Sequence, residues 1–126
     1  MQTETMTKEA HMLVPSDQVE GTAVCRSNGV KVGSIQRVMI DKLSGKVAYA
    51  VLSFGGFLGM GQKHFPIPWE RLKYNREMQS YQLDISDEEL RMAPAYEADK
   101  DFDWGDRSRE IVLHNYYGAQ PYWGAL

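Results

Sequence analysis

Four acids near the C-terminus have a spacing that could do metal chemistry. Asp99, Asp101, Asp103 and Glu110 stand at positions 1, 3, 5 and 12 of a calcium-loop template, in which hard oxygen ligands alternate along the chain. Two other positions oppose that reading. Trp104 stands where a glycine should make the sharp turn, and Asp106 occupies the normally apolar eighth position. A left-handed backbone at a tryptophan costs on the order of 1–2 kcal/mol. The stretch is therefore read as a solvated acidic linker, and no metal is expected. His11, His64 and His114 lie far apart with no paired spacing, as packing or surface histidines do. Cys25 and His64 are the one conceivable nucleophile–base pair, but no local motif joins them, and a lone cysteine in a strand is ordinarily buried and inert. A single cysteine also excludes an intramolecular disulfide and a cysteine-rich zinc site. The glycine-rich run Phe54-Gly55-Gly56-Phe57-Leu58-Gly59-Met60-Gly61 lacks the Gly-Lys-Ser/Thr ending of a phosphate loop and the spacing of a dinucleotide fingerprint. It reads as an aromatic-capped arch, or as an apolar contact surface offered by Phe54, Phe57, Leu58 and Met60. No catalytic residue and no cofactor is assigned, and the chain is not expected to be an enzyme.

The elements that would hold these residues are short strands with strong turn signals between them. Residues 22–25 are a β-prone run followed by the turn dipeptide Asn28-Gly29. Val30 and Val32, then Val38 and Ile40, alternate with polar or flexible neighbours, but the phase slips between Gly33 and Arg37, which predicts a bulge or sharp bend. The 41–46 turn leads into a third strand at 47–53 that is apolar on both faces. Val47, Tyr49 and Val51 line one face, and Ala48, Ala50 and Leu52 line the other. One face can line a core, and the second needs a cover from a tail or another subunit. His64-Phe65-Pro66-Ile67-Pro68 is limited by its prolines to an edge or irregular strand. A turn of helix at 69–72 and a hairpin across 75–80 complete the body.

These residues resemble the PRC-barrel domain, a small β-barrel named after the cytoplasmic domain of the photosynthetic reaction-centre H subunit. The resemblance rests on the 28–52 stretch, Asn-Gly-x-x-Val-Gly-x-Ile-x-x-Val-x-Ile-Asp-x-x-Ser-Gly-Lys-Val-x-Tyr-x-Val-Leu, punctuated by Asn28, Gly29, Gly33, Asp41, Ser44 and Gly45. The 54–69 segment is similar to one found in free-standing bacterial members. The resemblance implies a mainly β fold, a barrel of five to six short strands over 19–84, preceded by a flexible 1–18 segment. It implies a scaffold or interaction role and no shared catalytic residues. The reaction-centre and ribosome-maturation settings of the family do not carry over, because the chain lacks the transmembrane helix of the first and the added N-terminal domain of the second.

The 85–126 extension must be read without that resemblance. Ser86 followed by Asp87, Glu88 and Glu89 predicts a helix start, and Pro94 predicts its early end. Seven of the fourteen aromatics fall in 96–126, too much apolar surface to leave wet. A short helix at Arg107–Tyr117 is expected, with the extension docked on a barrel, covering the Ala48/Ala50/Leu52 face of its own chain or of a partner. The rival reading makes Trp104, Tyr116, Tyr117, Tyr122 and Trp123 an exposed recognition segment. The net charge of −3 conceals a layout of −3 over 1–20, +6 over 21–83 and −6 over 84–126, so acidic ends could dock on a basic body. No apolar window is long enough to span a membrane, and the N-terminus lacks a secretory signal pattern, so a cytoplasmic protein is expected. The favoured function is a self-associating scaffold or adaptor, a homodimer or larger homo-oligomer with an unidentified protein partner. An RNA- or ribosome-associated module using the basic body, and a small-molecule binder with a pocket at the Gly/Phe loop, are the alternatives.

Overall fold

The computed structural model describes residues 13–55 and 63–124. Among these residues seven strands form one curled sheet that does not close: β1 (Ala23–Cys25), β2 (Lys31–Ile40), β3 (Val47–Ser53), β4 (Lys63–Pro68), β5 (Lys73–Asn75), β6 (Ser80–Gln82) and β7 (Tyr96–Glu97). The spatial order is β5-β6-β1-β2-β3-β4-β7. All pairings are antiparallel except β1 with β6, which sets Val24 beside Tyr81. A five- to six-stranded barrel is expected from sequence; the extension supplies the seventh strand, where Lys63 pairs with Glu97 and His64 with Tyr96. The described end of the 1–18 segment, expected to be flexible, leads into a one-turn helix, α1 (Ser16–Val19), whose Val19 is buried.

Turn chemistry sets the register. The Asn28 side chain accepts the Val30 amide at 3.0 Å, and Gly29 takes φ +88°, so the β1–β2 turn closes tightly. The Asp41 carboxylate accepts the amides of Leu43 and Ser44 and the Ser44 hydroxyl, the last at 2.7 Å, while Gly45 holds φ +76°. The phase slip in β2 is a bulge: Ile35 faces Leu52 and Arg37 faces Val51, leaving Gln36 as the extra residue. Gly33 has a different reason to be glycine. A Cβ there would lie 2.3 Å from the Ser53 carbonyl oxygen, so the start of β2 crosses the end of β3 at backbone contact. In β4, Pro66 and Pro68 sit opposite Val51 and Tyr49, beyond the two residues that β7 pairs, so neither proline interrupts a ladder on that side.

The interior of the curl is one cluster built on Val24, Val32, Ile35, Ala50, Leu52 and Phe65, with Leu90 and Tyr117 joining it from outside the sheet. Helix α2 (Asp87–Met92) starts as its sequence predicts. The Ser86 hydroxyl accepts the Glu89 amide and the Glu89 carboxylate accepts the Ser86 amide, both at 3.1 Å. Helix α3 (Arg107–Tyr117) has the expected bounds, with Asp106 capping Ser108 at 3.0 Å and Gly118 in the left-handed region at its end. No described helix is long and apolar enough to cross a membrane.

Two substitutions test this geometry. Gly45→Val should destabilise by on the order of 1–3 kcal/mol through its positive φ. Gly33→Ala should cost at least as much, because the clashing atom is a backbone carbonyl that cannot swing away. Urea unfolding of either variant at the wild-type midpoint would contradict the turn or the crossing.

Candidate functional site

Strand β3 is buried on both faces from Tyr49 to Leu52, and its two faces meet different covers. Ala50 and Leu52 point into the curl and belong to the main cluster. Tyr49, one position out of phase, points the other way into the C-terminal extension. Its ring lies 5.2 Å from Trp104, 5.4 Å from His114 and 5.8 Å from Tyr122, centroid to centroid. The expected assignment is thereby inverted. Ala50 and Leu52 line the interior of the curl, Ala48 is half-buried at a register shift near the strand's start, and the Tyr49 side is the one that the extension covers. Alternation alone cannot say which face of a doubly apolar strand turns inward; the small alanines fit the tighter, concave side.

Beneath the aromatic cover lies a polar chain that spans the sheet and α3. Tyr49 Oη is 2.9 Å from Glu110 Oε1 and 2.7 Å from His114 Nε2. His114 Nδ1 is 3.2 Å from the Ala119 carbonyl oxygen. All three side chains are almost wholly buried: Tyr49 is 1% exposed, Glu110 3% and His114 4%. Helical spacing places Glu110, Leu113, His114 and Tyr117 on the inward face of α3. Burial and the neighbouring Glu110 carboxylate push the Tyr49 hydroxyl far up, so it keeps its proton throughout the ordinary pH range. Burial pushes the His114 imidazole down, against the opposing pulls of the Ala119 carbonyl, Glu110 and Glu70. Arg107 lies flat on Trp123, 3.8 Å from its ring centre, with Nε 3.8 Å from Glu110 Oε2.

The extension is fixed at further points. Arg71 donates to the Tyr117 carbonyl at 2.7 Å, and the Gln120 amide donates to Glu70 at 2.6 Å. Tyr116 donates to the Glu89 carbonyl, joining α3 to α2. Arg26 pairs with Asp87, and Lys63 faces Glu97 across β4 and β7. Acid-to-base contact between the extension and the body therefore exists, but the buried contacts that hold it are aromatic and hydrogen-bonded.

The other residues singled out by sequence are scattered. Glu110, the twelfth position of the calcium template, is buried against Tyr49, whereas Asp99, Asp101 and Asp103 are exposed, and Asp103 is occupied in capping the Gly105 amide. Among the described residues, no group of three acids, histidines or cysteines is placed to hold a metal. Cys25 is buried in β1 and His64 lies in β4 against Tyr96, with β2 and β3 between the two strands. Phe54, expected on a contact surface, is core: it is buried and packs edge-on against Phe65 at 4.9 Å. Phe57, Leu58 and Met60 lie outside the described residues, as does His11. At the described root of that loop is an open hollow of ≈ 240 Å³, lined by Lys31, Gly33, Ser53, Phe54 and Gly55 among others. Tyr117 is buried, Trp104 and Trp123 are half-buried, and Tyr116 and Tyr122 are partly exposed.

Sequence reading missed the Tyr49–Glu110–His114 chain. Its signal was present in the i, i+4 spacing of Glu110 and His114, which with Leu113 and Tyr117 marks a single helix face.

The curled sheet, its parallel β1–β6 pairing and its turns define a small β domain, and the PRC-barrel domain family matches residues 13–90. The chain belongs to that family. The match extends past both ends of the 19–84 stretch and takes in α1 and most of α2. No curated protein matches the chain.

Deleting residues 96–126 should strip the cover from Tyr49 and lower both melting temperature and soluble yield. A truncated protein that folds and melts as the full chain does would refute the docking. Millimolar calcium should leave tryptophan fluorescence unchanged; a saturable shift would restore the acidic stretch as a calcium loop.

Proposed function

We propose that this PRC-barrel protein is a non-enzymatic scaffold or adaptor that works through self-association and protein contact. The observation that carries the reading is a set of exposed apolar side chains on the two helices. Met92 is 73% exposed and Val112 54%, and Tyr116 lies one turn beyond Val112 on the outer side of α3. Tyr116 donates to the Glu89 carbonyl, so its exposed ring lies where α3 meets α2, the helix that carries Met92. An exposed apolar patch of this kind supports protein recognition. The patch also replaces the sequence-based reason for a second copy, since the doubly apolar strand β3 is covered by the chain's own extension. A non-enzymatic role is further supported by the way the buried acid, base and hydroxyl of Glu110, His114 and Tyr49 are spent on one another under Trp104 and Tyr122. The cytoplasm remains the proposed location.

Light scattering at micromolar concentration tests the reading. The wild-type chain should exceed monomer mass, and Val112→Asp should return it to monomer without lowering its melting temperature. A wild-type chain that is strictly monomeric would overturn the self-association.

A further inference from the structure

The buried chain of Ala119, His114, Tyr49 and Glu110 poses a proton-counting problem. Its three contacts link four groups in a row: the Ala119 carbonyl, the two imidazole nitrogens, the phenol and a carboxylate oxygen. Each contact needs one proton. The carbonyl has none, the phenol has one, and a neutral imidazole has one. An ionised carboxylate adds nothing, so ionised Glu110 with neutral His114 supplies two protons for three contacts. One pair of lone pairs would then face each other across 2.7–3.2 Å in a site closed to water.

We propose that the docked extension holds one proton more than ionised Glu110 and neutral His114 would carry, and that this proton makes the extension a pH-dependent latch. Tyr49 donates to Glu110 Oε1, and the two ring nitrogens of His114 face the Tyr49 oxygen and the Ala119 carbonyl, so the third contact closes only with a proton shared along the Glu110–Tyr49–His114 chain. The other groups facing the cluster do not supply the missing proton. Arg107, half-exposed and stacked on Trp123, approaches the other Glu110 oxygen only to 3.8 Å, and the Tyr122 hydroxyl also hydrogen-bonds Glu110. Glu70, on the turn after β4, is occupied by the Gln120 amide, and Asp41 acts on the cluster through Tyr122 and Arg107. In the released extension a glutamate and a histidine titrate near their ordinary values, about 4.3 and 6.5, and hold no such proton above neutrality.

The sign follows by linkage. Proton affinity is higher in the docked state, so the stabilisation is complete below about pH 6.5 and fades as pH rises through the docked cluster's own titration. One bound proton makes the unfolding constant climb toward tenfold per pH unit across that window. Urea unfolding of the full chain between pH 6.5 and 8.5 reads this directly, with two variants. Tyr49→Phe breaks the chain and should lose stability at pH 6.5 together with the pH slope. Glu110→Gln carries the missing proton permanently as an amide N–H. It should also lose the slope, yet keep wild-type stability at pH 6.5 and exceed the wild type at pH 8.5. A wild-type chain whose stability is flat or rises over this range would overturn the latch. So would a Glu110→Gln variant that fails to fold or keeps the wild-type slope.

Discussion

The covering of Tyr49 is the constraint on which the rest of the structure depends. A strand with apolar side chains on both faces cannot remain at the surface of a small sheet. The interior of the curl satisfies Ala50 and Leu52, and the C-terminal extension must satisfy the reverse face. That requirement explains why half the aromatics crowd into 96–126, why α3 turns Leu113, His114 and Tyr117 inward, and why the short strand β7 adds to β4 beside the proline-limited stretch. The extension is part of the folded unit even though the family match stops at residue 90.

The same constraint explains the polar chain. Tyr49 brings a hydroxyl into the covered face, and a buried hydroxyl without a partner costs about 1–3 kcal/mol. Glu110 and His114, four residues apart on α3, meet it from one side. A phenylalanine would have filled the space with no such demand. The hydroxyl therefore specifies how α3 sits on the sheet, because sliding the helix by a turn would part Tyr49 from both Glu110 and His114.

Much of the fold was legible in the residues. Asn28-Gly29, Asp41, Ser44 and Gly45 marked turns whose hydrogen bonds and positive φ angles the structure supplies, and Ser86 with Glu89 marked the start of α2. The bulge was legible as a loss of phase, although its extra residue is Gln36 and Gly33 serves a backbone crossing instead. The facing of β3 was not legible, since period-two alternation is symmetric when both sets are apolar. Phe54 was misplaced because a glycine-rich context resembles a loop, while its ring is anchored against Phe65 in the core. The Tyr49–Glu110–His114 chain was invisible as a unit because about sixty residues separate Tyr49 from its partners, and only the topology closes that gap.

The central claim is that each chain covers its own Tyr49. Isotope-filtered NOE spectroscopy on a mixture of labelled and unlabelled chains tests it most directly, through the contact between the Tyr49 and Trp104 rings at 5.2 Å. Cross-peaks are expected within a chain and none between labelled and unlabelled chains. Intermolecular cross-peaks between these two rings would contradict it, because the cover would then belong to a neighbouring subunit.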